Sequence, residues 1–205
     1  PAFDAHVPLL SLPRIFGTTL HTIPKTTPYL NVHGSDVRHW RSIIAGEGPA
    51  IGVVWSGTQH LKALRNRSCP LAQMAPLFSR LAMRRYSLQV GPASGDLAQI
   101  APGTRPVDLS PHLRDFADTA AAVTMLDLVI SIDTAVVHLA GALGKPVWAL
   151  LPDDPDWRWM REREDSPWYP GMRLFRQRRG EGWGPAISRV GEALRIMADR
   201  RRERQ

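Results

Sequence analysis

Asp133, Thr134 and His138 lie in the run Ser131-Ile132-Asp133-Thr134-Ala135-Val136-Val137-His138, and their types and spacing suit the holding of an anion. A polar side chain between a strand and a helix sits beside N–H groups that have no partner within the helix. The same helix end carries partial positive charge, so phosphate groups are favoured there. Thr134 and His138 are one helical turn apart and share a face near that mouth, with Ala135 in the first turn. A second set comes earlier in the chain. Ser56-Gly57-Thr58 forms a turn whose N–H groups can approach a phosphate. His60, Lys62, Arg65, Asn66 and Arg67 follow it, and lysine and arginine neutralise a diphosphate through charge-assisted hydrogen bonds. Plainer roles fit the same residues: Asp133 as a helix cap, His138 as a satisfied core histidine, and the basic stretch as a solvated loop.

The elements that must position these groups are legible as apolar runs. Leu128 to Ile132 is apolar except for Ser131, which predicts a strand covered on both faces. Asp133 is expected to cap the helix that follows, Thr134 to Leu143, which is apolar nearly all round. Gly144 and Pro146 end that helix, and Val147 to Leu151 resumes a strand. Pro49 to Trp55 predicts an earlier strand leading into the Ser56-Gly57 turn, then Pro70 to Arg84 a helix and Tyr86 to Val90 a strand. Gln89 is placed to meet a ligand from the end of that strand. Gly91 to Gly103 is expected as loop with at most one helical turn, and Pro106 to Leu109 as a short strand. Asp115 to Ala121 opens a further helix, with Asp118 as its cap and Thr119 and Ala120 in a first turn that a ligand can approach. Val37 to Ala45 is expected as a brief helix capped by Ser35 or Asp36, Met172 to Phe175 as a strand, and Pro185 to Met197 as an amphipathic helix.

The segment Ser-Ile-Asp-Thr-Ala-Val-Val-His-Leu-Ala-Gly-Ala-Leu-Gly-Lys-Pro-Val from Ser131 resembles the nucleotide-sugar-binding segment of glycosyltransferase family 9, the heptosyltransferase-like enzymes. Ile-Gly-Val-Val-Trp-Ser-Gly from Ile51, Ser-Leu-Gln from Ser87, Asp-Phe-Ala-Asp-Thr-Ala-Ala from Asp115, Pro-Asp-Trp-Arg-Trp from Pro155 and Ser-Pro-Trp-Tyr-Pro from Ser166 extend the resemblance. The rest of the chain resembles the catalytic part of bacterial tetratricopeptide-repeat proteins that carry such a domain. The resemblance implies an α/β fold: a Rossmann-like parallel sheet with helices on both faces, the C-terminal half of a GT-B fold, after a loop-rich N-terminal segment. It divides the chain into 1–48, the end of a first GT-B domain and linker; 49–184, the nucleotide-sugar-binding domain; and 185–205, a C-terminal helix and basic tail. It implies binding of a UDP- or ADP-linked sugar without metal or other cofactor, and transfer to an acceptor glycan or protein. The binding residues implied are Ser56, Gly57, Lys62, Arg65, Arg67, Gln89, Asp118, Thr119, Asp133, Thr134, Ala135 and His138. The family often has lysine where Val90 stands here. Its catalytic base belongs to the first domain, and no residue here matches it. The protein's own N-terminal GT-B or repeat region is then an implied partner, although the chain itself shows no internal repeat.

Composition narrows the alternatives. The 205 residues include 43% hydrophobic residues and a single cysteine, Cys69. One cysteine allows neither an internal disulfide nor a cysteine-based zinc site, in keeping with a cytoplasmic setting. No apolar run reaches the ~20 residues of a membrane span, and no signal-peptide pattern opens the chain. No P-loop, dinucleotide fingerprint, zinc-peptidase helix or nucleophile elbow occurs. The net charge of +7 owes much to Arg200, Arg201, Arg202 and Arg204, expected as a solvated tail, and no nucleic-acid module accompanies it. After Leu151, Trp157, Trp159, Trp168 and Tyr169 interleave with Arg158, Arg161 and Arg163. Packing is expected for Trp159, while Trp157 is open to stacking on a ligand or partner. The rival to an enzyme is a binding or scaffold module that uses this surface without catalysis; a nucleic-acid binder using the tail is the weaker rival.

Overall fold

The computed structural model describes residues 2–57, 67–79 and 83–203. Its centre is a six-stranded sheet, parallel throughout: β1 Ala50–Val54, β2 Arg84–Ser87, β3 Val107–Asp108, β4 Leu128–Ile132, β5 Val147–Leu151 and β6 Met172–Arg176. The strand order is β3-β2-β1-β4-β5-β6. The chain moves outward from β1 to β3, then returns to place β4 on the other side of β1. That reversal opens a crevice at the carboxyl ends of β1 and β4, where ligands of such sheets bind.

Burial follows from the side-chain alternation. In β1, Ala50 and Val54 point to one face, while Ile51, Val53 and, just beyond the strand, Trp55 pack on the other. The first face is covered by α2 Gly34–Ile43, α4 Phe116–Thr124 and α5 Ala135–Ala142; the second is covered by α3 Leu71–Ser79 and α6 Gly184–Arg202. A short helix, α1 Leu12–Ile15, lies in the N-terminal segment, and 3-10 turns occur at Leu9–Ser11, Pro92–Gln99, Ser110–His112 and Trp157–Trp159. Both faces of β1 and β4 are thereby buried, which explains their continuous apolar runs. Gly144, at φ +70°, closes α5: its N–H donates to Gly141 O (3.0 Å) and the Lys145 N–H to Ala140 O (3.0 Å). The Tyr29 N–H donates to the Ala142 carbonyl (2.9 Å), tying the N-terminal segment to the same helix end.

Several element boundaries differ from the sequence expectation. Arg84 begins β2 rather than ending α3, because its N–H donates to Pro49 O (2.9 Å) and sets the register opposite Ala50. Strand pairing stops with the Leu88 N–H donating to Val53 O (3.0 Å), so Gln89 and Val90 lie beyond β2. Residues Pro92–Gln99 form consecutive 3-10 turns where loop was expected. α2 starts three residues early, at Gly34, with neither Ser35 nor Asp36 as its cap. Asp115, not Asp118, caps α4, its carboxylate accepting from the Asp118 N–H (2.9 Å). Finally, α6 runs through Arg202, so Arg200, Arg201 and Arg202 are its last turn rather than a tail. Arg201 pairs there with Asp127 (3.1 Å). Trp159 is fully buried, as expected, and Trp157 is 73% exposed. Among the described residues no helix is long and apolar enough to cross a membrane.

Candidate functional site

The crevice at the β1–β4 reversal is a cleft of about 680 Å³. It brings together Ser56, Gly57, Arg67, Gln89, Thr119, Asp133, Thr134 and Ala135 from the residues predicted to bind. Lys62 and Arg65 lie outside the described residues. Asp118 and His138 line other clefts.

One wall is the turn after β1. The Gln89 carboxamide oxygen accepts from the Trp55 N–H (3.2 Å) and the Ser56 N–H (2.9 Å), while its amide nitrogen donates to Val90 O (3.0 Å). Gln89 thereby closes the end of β1 and sets the Ser56-Gly57 turn while lining the cleft. The Gly57 N–H donates to Ser68 Oγ at 3.4 Å, at the long limit for such a bond.

The opposite wall is the start of α5. Thr134 occupies the cap position, but its side chain bonds no helix N–H. Its hydroxyl lies 3.2 Å from Ser131 Oγ, and Ser131 in turn donates to Ile132 O (2.8 Å). The expected cap by Asp133 is absent because the Asp133 carboxylate is held elsewhere. Arg67 Nη1 lies 3.0 Å from Asp133 Oδ2 and Arg67 Nη2 lies 3.8 Å from Asp156 Oδ2. Beyond the Val137 N–H, which donates to Thr134 O (3.1 Å), no side-chain cap takes up the N–H groups of the first turn of α5, an anion-favouring end. Arg67 is the one cation lining the cleft among the described residues.

The remaining wall is apolar. Val90 (51% exposed) and Phe116 (61% exposed) stand open beside Pro92 and Ala93. The sequence reading did not single out Phe116; an aromatic residue in the first turn of an otherwise small-residue helix was the available signal. Thr119 is buried beneath it, its hydroxyl donating to Asp115 O (2.9 Å). Asp118 faces away and pairs with Arg114 (2.9 Å), a neighbour that holds its carboxyl below the usual range.

His138 turns to the far side of α5. Its Nδ1 is 3.1 Å from the Tyr169 hydroxyl, its ring stacks on Trp159 (5.3 Å between centroids, 18°), and its Nε2 lies 4.0 Å from Asp133 Oδ1. Burial lowers the pKa of His138 against the opposing pull of Asp133, so the imidazole is neutral at pH 7. Burial, with the Tyr29 hydroxyl alongside, raises the Tyr169 phenol above its ordinary range. Cys69, fully buried below the β1 turn, has its thiol pushed up to about 12 by desolvation and is no nucleophile.

Comparison with known proteins agrees with this architecture. Residues 88–168 match the family model of glycosyltransferase family 9 (heptosyltransferase). Protein FlbA of Caulobacter vibrioides is 31% identical over 191 residues, which cover 88% of this chain and 31% of FlbA. The chain thus spans about a third of that relative's length. Among solved structures, an ADP-heptose LPS heptosyltransferase II of E. coli superposes with a TM-score of 0.61 at 19% identity, over 90% of this chain and 58% of that one. A family 9 glycosyltransferase of Veillonella parvula gives 0.55 at 15% identity, over 81% of this chain and 45% of that one. The matched segment runs from the end of β2 through α4, β4, α5 and β5 and so supplies most of the cleft. Residues 88–168 are thus similar to glycosyltransferase family 9, and the chain shares its fold with part of those two solved glycosyltransferases.

Proposed function

We propose that the crevice binds a nucleoside-diphosphate sugar and that the protein of which this fold is a part transfers the sugar to an acceptor. The observation that carries this reading is the start of α5, Thr134-Ala135, which has no side-chain cap and opens into the crevice at the strand-order reversal. Opposite it lies the Ser56-Gly57 turn, whose own N–H groups are held by Gln89 and Ser68. The diphosphate would lie between them, within reach of Arg67. The nucleoside would lie along Val90, Pro92 and Phe116, where an exposed aromatic ring next to small residues suits a base.

The chemistry assigned to this chain is leaving-group stabilisation. Glycosyl transfer places growing negative charge on the departing diphosphate, and fixed N–H dipoles and a guanidinium stabilise it without reorganising. The Arg67–Asp133 pair makes this a metal-independent proposal: the acidic group nearest the phosphates is already matched by a cation. No residue of the chain is assigned as the base that deprotonates the acceptor. In this reading residues 49–184 form the nucleotide-sugar unit, 1–48 the end of a preceding domain and linker, and 185–205 the closing helix.

Mapping by nuclear magnetic resonance tests the placement. Titrating UDP and ADP into the isotope-labelled chain should shift the amide signals of Ser56, Gly57, Thr134, Ala135 and Phe116. Shifts confined to other faces, or none with either nucleotide, would overturn the site and favour a non-catalytic scaffold.

A further inference from the structure

At the end of the sheet opposite the crevice, α6 runs past the amino ends of β5 and β6. Trp148 and Arg173 are register partners there, each the second residue of its strand. Facing them, Ala193, Ile196, Met197, Arg200 and Arg201 recur at three and four residues along one stripe of α6. The space between is a groove of about 620 Å³. Its floor is apolar: Ala193 is buried, Met197 and Trp148 are half-buried, and the Trp148 ring rests against Phe175 at 5.3 Å between centroids. Ile196 stands open at the edge, 39% exposed.

Among the described residues, every charged side chain lining the groove is an arginine. Arg173 lies over the Phe175 ring (4.8 Å to the centroid) and reaches Glu164 at 3.4 Å, while Arg201 reaches Asp127 at 3.1 Å. Both pairs are exposed and screened by solvent, so an incoming carboxylate can share those guanidinium groups. Arg200 is exposed and has no ion pair among the described residues. The acidic residues of its own helix, Glu192 and Asp199, are taken by Arg195 on the adjoining stripe, at 2.7 Å and 3.0 Å. The groove therefore carries uncompensated positive charge above an apolar floor. Its complement is a segment that sets an apolar side chain beside a carboxylate. A nucleic-acid backbone calls for a continuous row of cations, and here Glu164 and Asp127 interrupt the row. A planar anionic membrane meets the rim but leaves the recessed floor uncovered. The net charge of +7 opposes a second copy of the chain as the occupant.

We infer that this groove docks an acidic, apolar peptide segment of a partner protein. It lies at the far end of the sheet from the crevice, so a docked partner leaves the crevice open, and the inference stands apart from the nucleotide reading. The test selects a displayed library of random dodecapeptides on the full chain and titrates the enriched peptides while following the Trp148 indole N–H signal. The expected peptides combine aspartate or glutamate with apolar residues and shift that signal saturably. Arg200→Glu should weaken them about ten-fold, and Ile196→Ser roughly five-fold. Both changes are at exposed positions of α6, and the urea midpoint of each variant checks that the fold is kept. Single-stranded DNA and phosphatidylglycerol vesicles are titrated in parallel. No enriched peptide, peptides without acidic residues, or affinities indifferent to both substitutions would overturn the inference. So would DNA or vesicles that bind more tightly than every selected peptide and lose that binding in Arg200→Glu, since the groove would then serve a polyanion.

Discussion

Gly141→Ala probes how tightly Tyr169 and its partner His138 pack on α5. A Cβ built on Gly141 would stand 2.6 Å from Tyr169 Cγ and Cδ1, and 3.1 Å from Cδ2. Ordinary carbon contacts begin near 3.5 Å, so the ring must retreat by roughly 1 Å. Tyr169 is only 9% exposed, and its hydroxyl is bonded to His138, so that retreat strains a packed neighbourhood. Overpacking of this kind costs about 1–3 kcal/mol, against a gain of about 1 kcal/mol from replacing a mid-helix glycine by alanine. The net expectation is a loss of up to about 2 kcal/mol, a fall in Tm of roughly 4–8 °C at the upper end for a chain of this size. Gly191→Ala in α6 is the control, since its Cβ would meet Leu77 Cδ2 at an ordinary 3.5 Å. That change should stabilise by about 0.5–1 kcal/mol. Urea denaturation of both variants, with the His138 ring signals followed in each, reads the difference. Equal stability of the two, with the His138 resonances undisturbed in Gly141→Ala, would refute the packing argument.

Other consequences follow from single groups. Arg67→Ala removes the cleft's described cation and leaves Asp133 unmatched, so nucleoside diphosphate affinity should fall about ten-fold or more by calorimetry. Cys69 should resist a thiol reagent at pH 8 in the native chain and react once urea unfolds it; rapid native labelling would contradict its burial. His138 holds its proton less firmly folded than unfolded, so its contribution to stability is complete above pH 6.5 and is lost as pH falls through the lower folded value. The urea midpoint should therefore drop less between pH 7 and pH 5 in His138→Gln than in the parent chain.

Local information carried much of this structure. The runs at Ala50–Val54, Leu128–Ile132 and Val147–Leu151 are apolar because both sheet faces are covered, and their order with the intervening helix was legible from periodicity alone. The roles of the polar groups were not, because their partners are remote in sequence. Whether Asp133 caps α5 or pairs with a guanidinium depends on Arg67, 66 positions away. Nor does the local sequence show that the Trp55 and Ser56 N–H groups, brought beside Gln89 by β1–β2 pairing, bond its oxygen. Likewise, the spacing of Thr134 and His138 suggests a shared helix face, but Thr134 lines the crevice while His138, bonded to Tyr169, lines another cleft. The sheet order, which creates the crevice, has no local signature at all.

The central claim is that the β1–β4 crevice holds a nucleoside diphosphate. Calorimetric titration of the chain with UDP, ADP and GDP, in the presence of a chelator, tests it most directly. The account predicts saturable one-to-one binding of at least one of them, weakened by Arg67→Ala. Heats no larger than dilution for all three, on a folded sample, would contradict it.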